Sequence, residues 1–180
     1  MRALNEQLAT YAGYHRDRRN IGVHFVGIPM ITLAVAVLLS GPAWVVGGLP
    51  VSPALLLALG ATVFYLRLDW RYGLTMGVLL ALSIWIGAQL ASASTAVWLG
   101  SGLGLFVVGW VFQLVGHVWE GRKPAFVDDL IGLLVGPLFI VAELGFVLGL
   151  RTEVRDAIER QVGPTHIRTG PAAQMPRRGI

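Results

Sequence analysis

The chain contains no cysteine and few charges. The first absence removes disulfides, thiolate metal sites, iron–sulfur clusters and cysteine nucleophiles together, leaving histidine and carboxylate as the strong metal ligands. The second is as telling, because only 13% of the 180 residues are Asp, Glu, Lys or Arg, against roughly a quarter in ordinary soluble domains. Histidine is scarce too. The four present form neither the HxxxH nor the HxxHH boxes of membrane di-iron desaturases and hydroxylases, so that class is excluded. Aromatics interleaved with a basic stripe are also missing, which argues against nucleic acid as a partner. What is present is apolar: 55% hydrophobic residues, 23 glycines and a mean hydropathy of +0.68. The composition is that of a polytopic membrane protein, and the net charge of +4 sits in short basic clusters beside apolar runs, as topology and anionic headgroups require.

Residues 2–15 read as a short amphipathic helix on the membrane surface, because Leu4, Leu8, Tyr11 and His15 recur on one stripe while Asn5, Glu6 and Gln7 face elsewhere. Five apolar segments follow: Ile21 to Ser40, about Val51 to Leu66, Tyr72 to Ala91, Thr95 to Val118 and Phe126 to Leu150. A spanning helix needs about 20 such residues. The last segment contains Gly136-Pro137, which implies a kink or a re-entrant hairpin. The first is read as a retained helix rather than a signal peptide, since it is too long for an h-region and no small-x-small site follows it. The expected fold is thus an all-α transmembrane bundle over residues 1–152 with an interfacial N-terminal helix, followed by a basic cytoplasmic tail over 153–180 whose final stretch is disordered.

Arg16, Arg18 and Arg19 precede the first segment, Arg67 and Arg71 join the second and third, and Arg122 and Lys123 join the last two, whereas the loops at 41–50 and 92–94 carry no charge. The positive-inside rule therefore turns the basic loops to the cytoplasm and predicts an integral membrane protein, in a bacterial inner membrane, with its site toward the cytoplasm. His15, His24 and His117 then fall at one membrane face. A buried imidazole is costly, so three at one depth point to a metal or catalytic site, although a single interfacial histidine is as often structural.

Polar neighbours stand at helical spacing from these histidines. Asn20 is four residues before His24, while Gln113, His117 and Glu120 occupy i, i+4 and i+7. Asn20, Gln113 and Glu120 are placed to orient metal-bound imidazoles, and Glu120 is alternatively a ligand itself. His15 and His24 lie nine residues apart, so the chain must bend around Arg19 to Gly22 for both to face one ion. Gly116 beside His117 allows a neighbouring helix to approach closely. Arg19, Arg122 and Lys123 are first of all topology determinants, and all three are also candidates for steering a substrate carboxylate. Asp128 and Asp129 suit the start of a helix opened by Pro124. Glu143, a carboxylate within an apolar segment, is a functional candidate by default. His166 reads as an ordinary exposed histidine.

Tyr14-His15-Arg16 with Asn20, His24-Phe25-Val26-Gly27-Ile28-Pro29, Gln113 to His117 with Glu120, Lys123-Pro124-Ala125 and the Pro137 to Glu143 run resemble the membrane 2-hydroxy fatty acid dioxygenase family of phytosphingosine degradation. The resemblance covers roughly residues 8–150 and does not reach His166. It implies an Fe(II)-dependent activity that shortens a 2-hydroxy fatty acid by one carbon, with His15, His24 and His117 as iron ligands. The implied partners are membrane lipids, the hydroxy acid and O2, with homo-oligomerisation left open. Such a reaction draws all four electrons from its substrate, and about three protein ligands on six-coordinate iron would leave room for a chelating hydroxy acid and O2. The competing class is a non-catalytic membrane protein, either a haem protein with His24 and His117 as axial pair or a small transporter or scaffold with Gln89, Gln113 and Glu143 along a path.

Overall fold

The computed structural model describes residues 2–168, so most of the expected disordered end, residues 169–180, lies outside the described residues. Helix α1 (Arg2–Ala12) precedes α2 (Arg18–Ser40), a hairpin of β1 (Trp44–Val46) and β2 (Leu49–Val51), α3 (Pro53–Leu68), α4 (Trp70–Ala93), α5 (Thr95–Glu120), a 3-10 turn at Ala125–Val127, α6 (Gly132–Val147) and α7 (Thr152–Val162). The expected all-α class holds. Local chemistry sets the boundaries. Asp17, Ser52, Asp69 and Ser94 each turn a side-chain oxygen onto the first free N–H groups of the helix that follows. At the other end of α5, Gly121 takes the left-handed conformation (φ +65°) and returns its N–H to the His117 and Val118 carbonyls.

The count of five spanning segments is corrected. Three helices, α2, α4 and α5, are long and apolar enough to cross a membrane, and a fourth span is obtained if α6 and α7, which meet at a bend of 113°, are taken together. Helix α3 has 16 residues, about 24 Å at 1.5 Å per residue, short of a hydrocarbon core of about 30 Å. It nonetheless brings the chain back beside α4 through the tight turn at Asp69. The last segment begins and ends at one end of the bundle. Near its start Asp128 binds Tyr14, just before α2, and after α6 Arg151 binds Asp69, between α3 and α4. The bend falls after Val147 rather than at Pro137, which α6 absorbs.

Helix α2 packs chiefly on α5, and missing side chains set their separation. A Cβ on Gly27 would lie 2.8 Å from the Gly109 carbonyl, and one on Gly109 2.7 Å from Ile31 Cγ1. Outward faces of α3, α4 and α5 carry exposed Leu56, Val78 and Val107, as a lipid-facing surface does. The densest core instead lies at the histidine end, where Leu4, Leu8, Tyr65, Phe139, Val154 and Ile158 are buried together. The apolar face of α1 is therefore covered by α6 and α7. Within the expected tail, Val154 and Ile158 give α7 an apolar face that α1 covers.

Candidate metal centre

The turn between α1 and α2 delivers His15. Helix α1 stops at Ala12, and the chain tightens through His15 N–H to the Ala12 carbonyl at 2.9 Å. The bend expected near Arg19 to Gly22 thus lies earlier, at residues 13–17, because Asp17 caps α2 by accepting from Arg19 N–H. Glu120 fixes that turn. Its Oε2 accepts from the main-chain N–H of Arg16 (3.0 Å) and Asp17 (2.8 Å) and from Asn20 Nδ2 (3.0 Å), with no exposure to solvent.

His24 stands two turns into α2 and meets α5 where Gly116 has no side chain. A Cβ there would overlap Asn20 Oδ1 and lie 3.0 Å from His24 Nδ1. His117 follows on α5, so two helices and one turn bring three imidazoles together. Their ring centroids are 4.7 Å (His15 and His24), 5.0 Å (His15 and His117) and 5.1 Å (His24 and His117) apart. One nitrogen from each lies within 4.8 Å of the others, and all three rings are buried.

Hydrogen bonds orient two of the rings. His15 Nδ1 is 2.8 Å from the Tyr11 carbonyl and His24 Nδ1 is 2.9 Å from the Asn20 carbonyl. A carbonyl only accepts, so each Nδ1 carries the proton and each Nε2 presents a bare lone pair. Those two Nε2 atoms face each other at 3.1 Å. Two lone pairs at that distance repel, whereas two ligands on one ion with bonds of about 2.1 Å at right angles would stand about 3 Å apart. The residues present therefore fit a metal ion. Burial, with His24 beside it, holds the His15 pKa well below the ordinary histidine value, so the ring stays neutral and able to ligate. Tyr11 stacks on His15 at 4.2 Å, 9° from parallel, and Phe139 packs against both rings, at 5.1 Å from Tyr11 and 5.7 Å from His15.

The remaining expected site residues separate into distinct places. Asn20 orients His24 through its main-chain carbonyl, while its side chain serves Glu120. Gln113 is buried beside His117 along an apolar cleft, and its Nε2 has no hydrogen-bond partner among the described residues. Arg19 is drawn to Asp17 at 2.7 Å and over the Trp119 ring. Lys123 is exposed and paired with Asp128. Glu143 lies away from the three rings, 4.0 Å from Arg16. Arg122 reaches the Gly13 carbonyl. Asp128 binds Lys123 and Tyr14, while Asp129 Oδ1 accepts from Ile131 N–H just before α6. Sequence reasoning missed Tyr11 and Asp17. Tyr11 had a signal, four residues before His15 on the same stripe, and so did Asp17, a capping residue just ahead of an apolar run.

The cleft is lined by Ile31, Trp110, Phe126 and Leu133, with His117 and Gln113 at one end. Ile31 is seven residues beyond His24 and Trp110 seven before His117, so it reaches about 10 Å along the bundle from the histidines. Rings packed about 5 Å apart leave no slot for a porphyrin, which removes the geometric basis for the haem alternative.

No solved structure matches the chain. It is 32% identical over 161 residues to the 2-hydroxy-palmitic acid dioxygenase MPO1 of Saccharomyces cerevisiae, an alignment covering 88% of this chain and 89% of the yeast protein. The family model described as "2-hydroxy-palmitic acid dioxygenase Mpo1-like" matches residues 1–148, which contain all three converging histidines. By both comparisons, the chain belongs to the Mpo1-like 2-hydroxy-palmitic acid dioxygenase family.

Proposed function

We propose that this protein is a non-haem Fe(II) dioxygenase of fatty acid alpha-oxidation, converting R-CH(OH)-COOH and O2 into R-COOH, CO2 and water. The hydroxyl carbon gives up three electrons and the old carboxyl carbon one, so the four that O2 takes come from the substrate, without 2-oxoglutarate or an external reductant. The observation that carries this reading is the pair of bare Nε2 atoms of His15 and His24 facing each other at 3.1 Å with His117 beside them. His15, His24 and His117 would hold the iron, which when bound supplies the one-electron chemistry that lets O2 react with a closed-shell acid.

The chain's own residues do the positioning. Glu120, Asn20 and Tyr11 fix the ligand turn and the tautomers of His15 and His24. The three converging side chains include no carboxylate among the described residues, so the set is three neutral imidazoles, with open positions for a chelating hydroxy acid. The apolar cleft suits the first carbons of an acyl chain. The rest of the chain would lie against lipid, entering sideways. Gln113 offers the polar group of this cleft nearest His117 in sequence, suited to the 2-hydroxyl or carboxylate. Arg19 and Lys123, both held in ion pairs, would draw the anionic headgroup toward that end of the bundle, which in this reading faces the cytoplasm from a bacterial inner membrane, in keeping with its basic loops.

The test is anaerobic Fe(II) reconstitution of the purified protein, then 2-hydroxypalmitate and O2, with the fifteen-carbon acid and CO2 measured. Absence of both a bound transition metal and the shortened acid refutes the enzyme. Full activity in both His24→Ala and His117→Ala refutes the site while leaving the reaction standing.

A further inference from the structure

The segment after α7 lies against the ligand turn. His166 N–H donates to the Arg16 carbonyl and its own carbonyl accepts from Arg18 N–H, both at 2.9 Å, so residues 166 and 17 form a one-bridge parallel pair. The Arg168 main-chain N–H reaches Asp17 Oδ2 at 2.9 Å, and the Arg168 carbonyl accepts from Arg19 Nη2 at 3.0 Å. Gly163 accepts from Arg16 Nη1 at 2.7 Å. The turn that presents His15 is thus bound on one side by a strap over residues 163–168, while Arg122, through the Gly13 carbonyl, and Asp128, through Tyr14, bind it on the other.

The Arg168 side chain does something more specific. It donates to the Glu120 main-chain carbonyl at the end of α5, and its Nη2 stands 3.7 Å from Glu120 Oε1. That oxygen is buried with no hydrogen-bond partner among the described residues, whereas Oε2 already holds three N–H groups. A buried carboxylate is tolerated when a cation compensates it, and Arg168 is the cation within ion-pair distance among the described residues.

We infer that Arg168 is a positioning residue of the metal centre, compensating Glu120 and thereby holding the 13–17 turn that presents His15. The residue lies twenty positions beyond the end of the family match at 148, in the part of the chain that carries no ligand of the histidine cluster. This rests on the metal-site reading for its functional consequence, and on contacts alone for its structural one.

The experiment uses the full-length protein in detergent, with Arg168→Gln, Arg168→Lys, Glu120→Gln and the Arg168→Gln/Glu120→Gln double variant. Co(II) affinity is measured by chelator competition, and hydrogen–deuterium exchange over residues 13–20. Arg168→Gln is expected to weaken Co(II) by about tenfold, the scale of losing an outer partner of a ligand, and to speed exchange of the Arg16 and Asp17 amides. Arg168→Lys, which keeps the charge, should restore most of both. In the Glu120→Gln background, where no buried charge needs compensation, Arg168→Gln should add little. Wild-type affinity and exchange in Arg168→Gln would overturn the inference, as would losses in Arg168→Lys equal to those in Arg168→Gln, or fully additive losses in the double variant. If wild type binds no Co(II), the metal reading fails and the exchange measurements alone decide whether Arg168 holds the turn.

Discussion

Glu120 lies one turn beyond His117, near enough in sequence to read either as a ligand or as an orienting group, and its contacts separate the two. Oε2 serves Arg16 N, Asp17 N and Asn20 Nδ2, so the carboxylate acts on His15 through the main chain. Glu120→Gln keeps an acceptor for these donors and loses charge assistance, about 1 kcal/mol on the difference between charged and neutral hydrogen bonds. Glu120→Ala strands two main-chain N–H groups and an amide in a buried turn, costing about 3 kcal/mol or more. Metal titration should therefore find Glu120→Gln within a few-fold of wild type and Glu120→Ala at least about tenfold weaker. Equal weakening in both would make the carboxylate a ligand. The three histidines were legible at this scale because buried imidazoles stand out in a chain so poor in charge. Their supports were less so: Tyr11 and Asn20 hold the rings with main-chain carbonyls, and carbonyls are the same at every position of a sequence.

Helices α2 and α5 meet through absences of side chain, and this gives the element scale its own test. At Gly116 a new Cβ would overlap Asn20 Oδ1 and stand 2.8 Å from Val23 Cγ2 and 3.0 Å from His24 Nδ1, so Gly116→Ala must push the helices apart where two ligands face each other. Overpacking of this kind costs about 1–3 kcal/mol. Gly22, on the same helix as His24, has nothing within 4 Å of an added Cβ, and alanine there should gain up to about 1 kcal/mol of helix propensity. Thermal unfolding in detergent and Co(II) titration should show Gly116→Ala lower in both midpoint and affinity, and Gly22→Ala unchanged or higher in midpoint. Equal behaviour of the two would mean that the α2 and α5 contact does not set the ligand spacing. Apolar run lengths placed α2, α4 and α5 well, since composition over some twenty residues is a strong signal. The same signal overcounted the rest: α3 is apolar but short, and α6 is apolar because protein as well as lipid surrounds it, with Leu138 and Phe139 fully buried. Burial against protein and burial in lipid select the same residues, and only contacts distinguish them.

Across the whole molecule, the end that carries the histidines is tied together by pairs far apart in the chain. Arg151 binds Asp69 Oδ2 at 2.9 Å and Oδ1 at 3.2 Å across 82 residues, joining the turn after α6 to the turn between α3 and α4. Such a pairing has no local signature, which is why the topology of the last segment stayed open in the sequence. Arg151 holds a left-handed backbone at φ +53°, rare for an L residue, while its side chain also binds Glu153 at 2.7 Å and lies over the Tyr72 ring at 5.0 Å. A left-handed non-glycine residue costs about 1–2 kcal/mol, so these contacts offset strain as well as join elements. Burial pushes the Asp69 pKa upward and is the largest single influence, yet the Arg151 hydrogen bonds and the N–H groups of Tyr72 and Arg71 together outweigh it, and the pKa ends below the ordinary value. An acid whose pKa is lower folded than unfolded binds its proton more weakly in the fold. Its contribution to stability is therefore complete above the unfolded value of about 3.9 and is lost as pH falls through the lower, folded value. Asp69→Asn, which keeps the shape without the charge, should lower the unfolding midpoint at pH 7 and narrow its distance from wild type as the pH is taken from 5 toward 3. Wild type and variant declining in parallel over that range would show that the Asp69 carboxylate draws no net stabilisation from Arg151, leaving α6 and α7 to be held against the bundle by their apolar faces and by other polar contacts such as Tyr65 Oη donating to the Leu134 carbonyl at 2.7 Å.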